Sequence, residues 1–324
     1  MKAIVRDAYG GPEVLKFEDV PEPHVGRDDV LVRVRASSIG RADKYILHGR
    51  PFPLRFATGL FAPKKRGVGL DFSGDVVAIG EGVVDVRVGD AVFGETVLGE
   101  AWAEYVCVPA KAVAAKPTTY DHEHAAVVPG SALTALQGLV REAGLVSGMR
   151  VLINGATGGV GPYAVQIAKA YGAQVTGVCS ARHEESVAGW GADVVLAYEY
   201  HDVTRGDVRF DVVFDVVGNR SVAAWSPVIA SGGVYVAVGA PEDGMFGPGG
   251  HMIATFLTAP FVRPRVAQFV ESPKRTDLET LRALLDAGRI RPAVSRAFSL
   301  HDVADAFRWI AQERPAAKVA LVVP

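Results

Sequence analysis

The second half of the chain alternates between short apolar runs and longer amphipathic segments. Apolar runs predict strands at 151–153, 174–178, 194–196, 211–216 and 233–238, and helical periodicity predicts helices at 159–171, 183–189 and 220–230. This alternation predicts a parallel sheet with helices on both faces. The run DVVFDVV at 211–217 is apolar on both alternating faces, which is typical of a central strand of such a sheet.

Both ends of the chain follow other patterns. Before about His124, short valine-rich runs predict strands at 30–36, 75–79, 83–88, 91–93 and 105–108, in a β-rich, barrel-like domain. Residues 125–143 predict a helix that is interrupted at Pro129 and Gly130. After about Glu271, the capping box TDLE at 276–279 predicts the start of a helix, and a second helix at 303–312 precedes a final strand at 318–323.

A glycine-rich turn joins the strand at 151–153 to the helix that follows it. Glycines at such a junction let backbone N–H groups approach a pyrophosphate, while the helix N-terminus supplies partial positive charge. The strand–turn–helix–strand context favours a dinucleotide-binding site, and the alternative is a loop without a ligand. The candidate cofactor-binding residues of the turn are Ala156, Gly158, Gly159, Val160 and Gly161.

The residues after the next strand indicate which dinucleotide binds. NAD sites usually carry an acid at this point, which binds the ribose 2′-hydroxyl. Here the strand is followed by Ser180 and Arg182, whose hydroxyl and guanidinium suit a 2′-phosphate. NADPH is therefore the predicted cofactor, and the alternative is that Arg182 is a solvated residue opening the next helix.

Composition limits the partners and the compartment. The chain has 324 residues, of which 49% are hydrophobic and 22% charged, so it is long enough for two globular domains. Because the net charge is −2 and no apolar run approaches the length of a membrane span, neither nucleic acid nor a membrane is an expected partner. The two cysteines, Cys107 and Cys179, match no CxxC spacing and fit a reduced, cytoplasmic setting.

Several segments together carry a family resemblance. They are MKAIV at the start, GLDFSGDVVAIGEGV (69–83), VGDAVFG (88–94), AEYVCVP (103–109), ALTALQGL (132–139), NGATGGVG (154–161), VFDVVG (213–218) and AAKVALVV (316–323). Over nearly its whole length the chain resembles the medium-chain dehydrogenases/reductases, and specifically their zinc-free quinone oxidoreductase branch. The resemblance implies an α/β protein with a GroES-like, β-rich catalytic domain at 1–125 and 272–324 and an inserted Rossmann domain, a doubly wound parallel sheet, at 126–271. It also implies a nicotinamide cofactor in the cleft between the domains and a homodimer.

The resemblance also implies roles for residues that no local pattern marks. Thr134 falls where relatives face the nicotinamide, and Tyr198 falls where this branch places a tyrosine beside the 2′-phosphate. The implied cofactor site further includes Val217, Gly239 and Lys318.

Zinc relatives hold a catalytic metal at three positions of this layout. Here those positions are Gly40, Leu70 and Gly130, which offer no ligand atoms, so no metal is expected. Without a metal, the natural hydride acceptors are carbonyl compounds whose oxyanion is delocalised, with hydrogen-bond donors supplying the remaining stabilisation. By family position, Tyr45 and Asp43 are the candidate catalytic residues. The alternatives are that Tyr45 packs beneath a loop and that Asp43 only forms structural hydrogen bonds.

Two apolar segments have open roles. The segment at 52–66 is expected to line an apolar substrate mouth or to cover the barrel, through Phe52, Leu54, Phe56, Leu60 and Phe61. The cluster Lys64-Lys65-Arg66 is expected to be a solvated loop, and the alternative is that it attracts anionic substrates or cofactor phosphates. The segment at 251–270 is expected to form a lid or a dimer contact.

Taken together, the patterns and the resemblance predict an NADPH-dependent, zinc-independent oxidoreductase. Its expected partner is a small molecule, a quinone or an α,β-unsaturated carbonyl, that accepts the hydride. Two alternatives stay open: a zinc-free reductase of aldehydes or enoyl thioesters, and a non-enzymatic NADPH-binding sensor.

Overall fold

The computed structural model describes residues 1–50, 52–97, 99–240, 255, 257–258 and 262–324. The chain divides into two compact units, Met1–Leu133 with Ser272–Pro324, and Thr134–Glu271. The division at 271/272 coincides with the predicted one, and the division at 133/134 falls eight residues after the predicted 125/126, within the helix Pro129–Leu136. Among the described residues, no helix is long and apolar enough to cross a membrane.

The strands and helices are numbered here in chain order. The strands are β1 (Lys2–Val5), β2 (Lys16–Asp19), β3 (Asp29–Ile39), β4 (Asp71–Ile79), β5 (Ala91–Glu95), β6 (Tyr105–Pro109), β7 (Val113–Ala115), β8 (Arg150–Asn154), β9 (Gln174–Cys179), β10 (Val194–Ala197), β11 (Phe210–Asp215), β12 (Ile229–Ala237), β13 (Arg265–Gln268), β14 (Val294–Ser299) and β15 (Lys318–Val322). The α-helices are α1 (Arg41–His48), α2 (Leu54–Thr58), α3 (His122–Ala126), α4 (Pro129–Leu136), α5 (Val160–Ala170), α6 (Glu184–Gly189), α7 (Val222–Trp225), α8 (Arg275–Asp286) and α9 (Val303–Glu313). A π-helical segment, Gln137–Glu142, continues α4.

The first unit is built on a mostly antiparallel sheet with the order β14-β15-β3-β4-β5-β7, and β6 also pairs with β3. Its core contains large buried side chains such as Phe72, Trp102 and Phe307. The end of the chain completes this sheet, because β15 pairs with the carboxyl half of β3. That pairing brings Lys318, at the start of β15, beside the residues that follow β3.

The second unit is a parallel sheet with the order β10-β9-β8-β11-β12-β13, so the predicted doubly wound sheet is confirmed. The chain runs outward from β8 to β10 and then returns to β11 on the other side of β8. In such sheets, ligands bind beyond the carboxyl ends of the strands where the order reverses. The residues after Asn154 and Asp215 therefore lie where a ligand is expected.

Three local predictions are wrong. Residues 83–88 form an irregular loop instead of a strand, and they lead into Gly89, whose φ is +94°. The helix predicted at 220–230 ends early, because α7 stops at Trp225 and a 3₁₀ turn containing Pro227 follows. Helix α8 begins before the predicted capping box, with Lys274 as its N-cap.

Candidate functional site

The glycine-rich turn follows β8 and leads directly into α5. Its start is fixed to the neighbouring strand, because the N–H groups of Gly155 and Ala156 donate to the Val178 carbonyl at 3.1 and 2.8 Å. Gly155 and Gly158 have φ values of +86° and +80°, which favour glycine. A Cβ on Gly161 would overlap the backbone of Gly155 and Ala156, so only glycine allows this close approach.

This turn has the features that a pyrophosphate requires. A Cβ on Gly158 would meet no atom within 4 Å, so the backbone there borders open space. Helix α5 begins at Val160, after Gly159 as N-cap, and carries no acid in its first turn. Its first N–H groups lack helical partners and point toward any anion at this end of the helix. The residues predicted at 156–161 therefore form one continuous turn, called the cradle below, whose backbone amides could hold phosphate oxygens.

A buried carboxylate fixes the loop at the end of β11. The Asp215 oxygens accept five hydrogen bonds, at 2.8, 3.0, 2.8, 3.1 and 2.8 Å, from Asn154 Nδ2, Val217 N, Gly218 N, Trp225 Nε1 and Tyr235 Oη. Burial, and then the Asp215 charge, raise the pKa of Tyr235, so the phenol keeps the proton that it donates. The carboxylate thus ties β8, β11, β12 and α7 into one hydrogen-bonded network.

The loops after β8, β11 and β12 pack against one another without room for side chains. A Cβ on Gly239 would overlap the Val216 carbonyl, and a Cβ on Gly155 would lie 2.7 Å from Val217 Cγ2. The structure therefore brings Val217 and Gly239 together with the cradle at 156–161. Thr134 is half-buried on α4, at the start of the second unit.

The end of β9 carries the residues predicted to select the cofactor. Ser180 follows β9 directly, and Arg182 lies in the 3₁₀ turn Ala181–His183. Tyr198 comes alongside, because β10 pairs in parallel with β9 and the Tyr198 N–H donates to the Cys179 carbonyl at 3.0 Å. The Tyr198 side chain is exposed. The structure thus gathers these three predicted residues at one edge of the sheet.

Sequence reasoning missed Glu199. Its Oε2 atom accepts a hydrogen bond from the Ala181 N–H at 3.1 Å, which places a carboxylate at the same turn as Arg182. A 2′-phosphate bound there would meet both an attractive guanidinium and a repulsive carboxylate. No local sequence pattern marks this contact, because it arises only where β9 and β10 pair in parallel.

In the first unit, Asp71 and Lys318 form a buried ion pair, with side chains 4% and 3% exposed. Asp71 also accepts hydrogen bonds from Ser38 Oγ at 2.9 Å and from the Gly130 N–H at 2.8 Å. The pair joins β4, β15 and the first turn of α4. The Lys318 ammonium, predicted to bind the cofactor, is therefore directed at Asp71 in this structure.

The two candidate catalytic residues lie on α1. The Asp43 Oδ2 atom accepts a hydrogen bond from the Gly40 N–H at 2.7 Å, which ties it to the start of the helix. Burial, and then the negative charge of Asp71, raise the pKa of Asp43 to about 7. Near neutral pH, much of this carboxyl therefore holds a proton. Tyr45 is half-buried two residues further along the helix.

Comparison with known proteins identifies the family. Residues 26–118 match the family model described as alcohol dehydrogenase GroES-like domain, and residues 190–321 match the one described as zinc-binding dehydrogenase. The chain is 31% identical to the "NADPH-dependent alkenal/one oxidoreductase, chloroplastic" of Arabidopsis thaliana, over 99% of this chain and 79% of the relative. The chain belongs to the medium-chain dehydrogenase/reductase superfamily, in its quinone oxidoreductase-like branch. It is therefore an oxidoreductase.

Further members of the superfamily match the chain from end to end. The "Quinone oxidoreductase" of Pseudomonas aeruginosa is 29% identical, with 99% of both chains covered. The solved structure of the quinone oxidoreductase from Coxiella burnetii is 27% identical and has a TM-score of 0.86, with 100% of this chain and 99% of that chain covered. These matches agree with a GroES-like unit combined with a Rossmann unit.

The superfamily's zinc positions do not fit a metal in this chain. The residues at these positions, Gly40, Leu70 and Gly130, carry no side-chain ligand atoms, and the Gly130 N–H donates to Asp71 of the buried ion pair. A Cβ on Gly40 would lie 3.5 Å from Lys318 Cε, so the lysine fills the space beside that glycine. In the part of the chain that the structure describes, no three His, Cys, Asp or Glu side chains form a group that could hold a metal ion.

The structure describes one of the two apolar segments, 52–66, in full and the other, 251–270, only in part. The segment at 52–66 does not cover the barrel, because Phe61 is 91% exposed while only Leu54 of its large apolar side chains packs partly inward. Much of the segment at 251–270, including 251–254, 256 and 259–261, lies outside the described residues.

Proposed function

We propose that the protein is an NADPH-dependent, zinc-independent reductase of quinones and α,β-unsaturated carbonyls. The observation that carries this proposal is the cradle at 156–161, packed against the loops after β11 and β12 at the reversal point of a parallel sheet. The names of two relatives, an alkenal/one oxidoreductase and a quinone oxidoreductase, support the substrate classes. The glycines at two zinc positions support the independence from metal.

The chain's own residues would bind and orient the cofactor. Backbone amides at 156–161 hold the pyrophosphate at the positive end of α5, and the Asp215 network keeps the adjoining loop in place. Ser180 and Arg182 meet the 2′-phosphate. When bound, NADPH supplies a hydride from its nicotinamide ring.

Quinones and enones suit a site without a metal. Hydride addition places negative charge on the substrate oxygen, and conjugation spreads that charge over the substrate. Tyr45 is proposed to donate a hydrogen bond to this oxygen. Asp43, with a pKa near 7, is a second group on the same helix that holds a proton at neutral pH. We also propose that the protein forms a homodimer and is located in the cytoplasm.

The cofactor preference can be tested at the end of β9. Arg182→Ala is expected to weaken NADPH binding about ten- to one-hundred-fold, because a charge-assisted contact to phosphate is lost, and to leave NADH binding nearly unchanged. Glu199→Gln is expected to strengthen NADPH binding several-fold, because a repulsive carboxylate is removed from the turn. Both effects are measured as dissociation constants by fluorescence titration with the two cofactors.

Arg209→Ala serves as the control, since Arg209 is also exposed in the second unit and its described hydrogen bonds go to the carbonyl groups of Gly206 and Val208. It should change neither constant. Equal affinities for NADH and NADPH in the unsubstituted protein would contradict the assignment of Ser180 and Arg182.

A further inference from the structure

A group of exposed apolar side chains projects from the first unit. Phe52, Phe56, Leu60 and Phe61 lie within ten residues and are 54%, 69%, 38% and 91% exposed. Phe52 and Phe56 meet edge to face, with ring centroids 6.1 Å apart. Contiguous exposed apolar surface marks an interaction site, whereas single exposed apolar residues are ordinary. We refer to residues 52–61 as the aromatic projection.

The base of the aromatic projection is fixed by polar contacts. The Tyr9 hydroxyl lies 2.8 Å from Thr58 Oγ1 and donates to the Gly59 carbonyl at 2.7 Å. The Arg55 guanidinium stacks on the Tyr9 ring at 4.4 Å from its centroid. The Lys64 N–H closes the following loop by donating to the Thr58 carbonyl at 2.7 Å. An ordered base thus holds the phenylalanines outward, which removes part of the entropy cost of binding.

Positive charge surrounds the aromatic projection. Residues 44–70 include six lysines and arginines and no acid, in a chain whose net charge is −2. Lys65 and Arg66 form ion pairs with acids of the same unit. No described carboxylate lies within ion-pair distance of three other cations of the segment, Arg50, Arg55 and Lys64.

We propose that the aromatic projection binds the surface of an anionic membrane. Exposed aromatic side chains with cations beside them are the pattern of elements that lie in the interface of a bilayer. Phe56 and Phe61 would enter the headgroup region, and Arg50 and Lys64 would face lipid phosphates. Composition predicts no membrane partner because no segment can span a bilayer, but a surface element needs no span.

Two other binding partners, a second copy of the chain and the substrate, fit the aromatic projection less well than a membrane does. A second copy of the chain, docked symmetrically through the aromatic projection, would bring the same cations opposite one another. Quinones and enones carry no negative charge, so a substrate contact would leave the cations of this segment without a role. An anionic lipid surface matches both the apolar tip and the charge around it.

The test is sedimentation of the full-length protein with vesicles of phosphatidylcholine alone or mixed with an equal part of phosphatidylglycerol. We expect binding to the mixed vesicles, and weaker binding at high salt, because the charges at the surface are screened. The double variant Phe56→Ser, Phe61→Ser should lower the partition coefficient at least about ten-fold, since apolar burial is lost. Lys64→Gln should lower it about five-fold, the value for one basic residue at such a surface.

The control is Val84→Ser, which removes an 84% exposed apolar side chain from a loop of the same unit and should leave binding unchanged. All these positions are exposed, so melting temperatures should stay close to that of the parent. Absence of binding to the mixed vesicles, or binding that the phenylalanine variant does not weaken, would overturn the proposal. A changed oligomeric mass in that variant would instead assign the projection to a second copy, and an altered KM for a water-soluble quinone without vesicles would assign it to substrate. Both results would also overturn the proposal.

Discussion

Replacing Gly158 with valine is expected to weaken NADPH binding by at least about one hundred-fold, the equivalent of losing two charge-assisted hydrogen bonds from the turn. Gly158 has a φ of +80°, which a β-branched residue adopts only with strain, so the backbone of the turn must shift. The valine side chain would also enter the open space where the pyrophosphate is proposed to bind. The measurement is a fluorescence titration with NADPH, accompanied by thermal unfolding.

Gly148→Val is the control that distinguishes loss of the phosphate site from the effect of backbone strain. Gly148 has a φ of +87°, a Cβ there would also meet no atom within 4 Å, and it lies before β8 instead of after it. Both variants should lose similar stability, and only Gly158→Val should lose the cofactor. Equal NADPH affinities in the two variants would contradict the assignment of the turn.

Asp215→Asn is expected to lower the free energy of unfolding by about 3 kcal/mol or more, because a buried acceptor of five hydrogen bonds gains an N–H group that faces other donors. The Tyr235 hydroxyl can reverse and accept from the new amide, which leaves Trp225 Nε1 without an acceptor. The loops that the carboxylate holds are those proposed to border the cofactor, so NADPH affinity should fall as well. Urea unfolding and NADPH titration measure the two effects.

Asp211→Asn is the matched control on the same strand. Its carboxylate accepts one described hydrogen bond, from the Arg150 N–H, at the opposite end of β11. We expect a loss below about 1 kcal/mol and an unchanged NADPH affinity. Equal losses of stability in the two variants would show that the buried network is not decisive.

The features that the sequence predicts best are those set by residues close together in the chain. The cradle at 156–161 follows from glycine spacing between a strand and a helix, since both the close approach and the positive φ values are local requirements. The reversal of strand order could also be predicted, because alternating strands and helices favour a doubly wound sheet. The resemblance extended the prediction to residues such as Val217 and Gly239, which no local pattern marks.

Contacts between residues that are far apart in the chain could not be predicted from the sequence. Asp71 and Lys318 are 247 positions apart, and nothing near either residue marks them as partners. Asp215 ends an apolar run that predicts only a central strand, and its five donors come from four different segments. Glu199 meets the Ala181 amide only because β9 and β10 pair in parallel. Such contacts are set by tertiary packing, which local pattern does not encode.

The most direct test of the proposed function is steady-state NADPH oxidation by protein whose zinc content has been measured, with a quinone, an α,β-unsaturated ketone and a simple aldehyde as acceptors. We expect turnover of the quinone and the enone, slower or no turnover of the aldehyde, less than stoichiometric zinc, and no loss of rate with a chelator. Absence of turnover with both conjugated acceptors, or activity that a chelator removes and zinc restores, would contradict the proposed function.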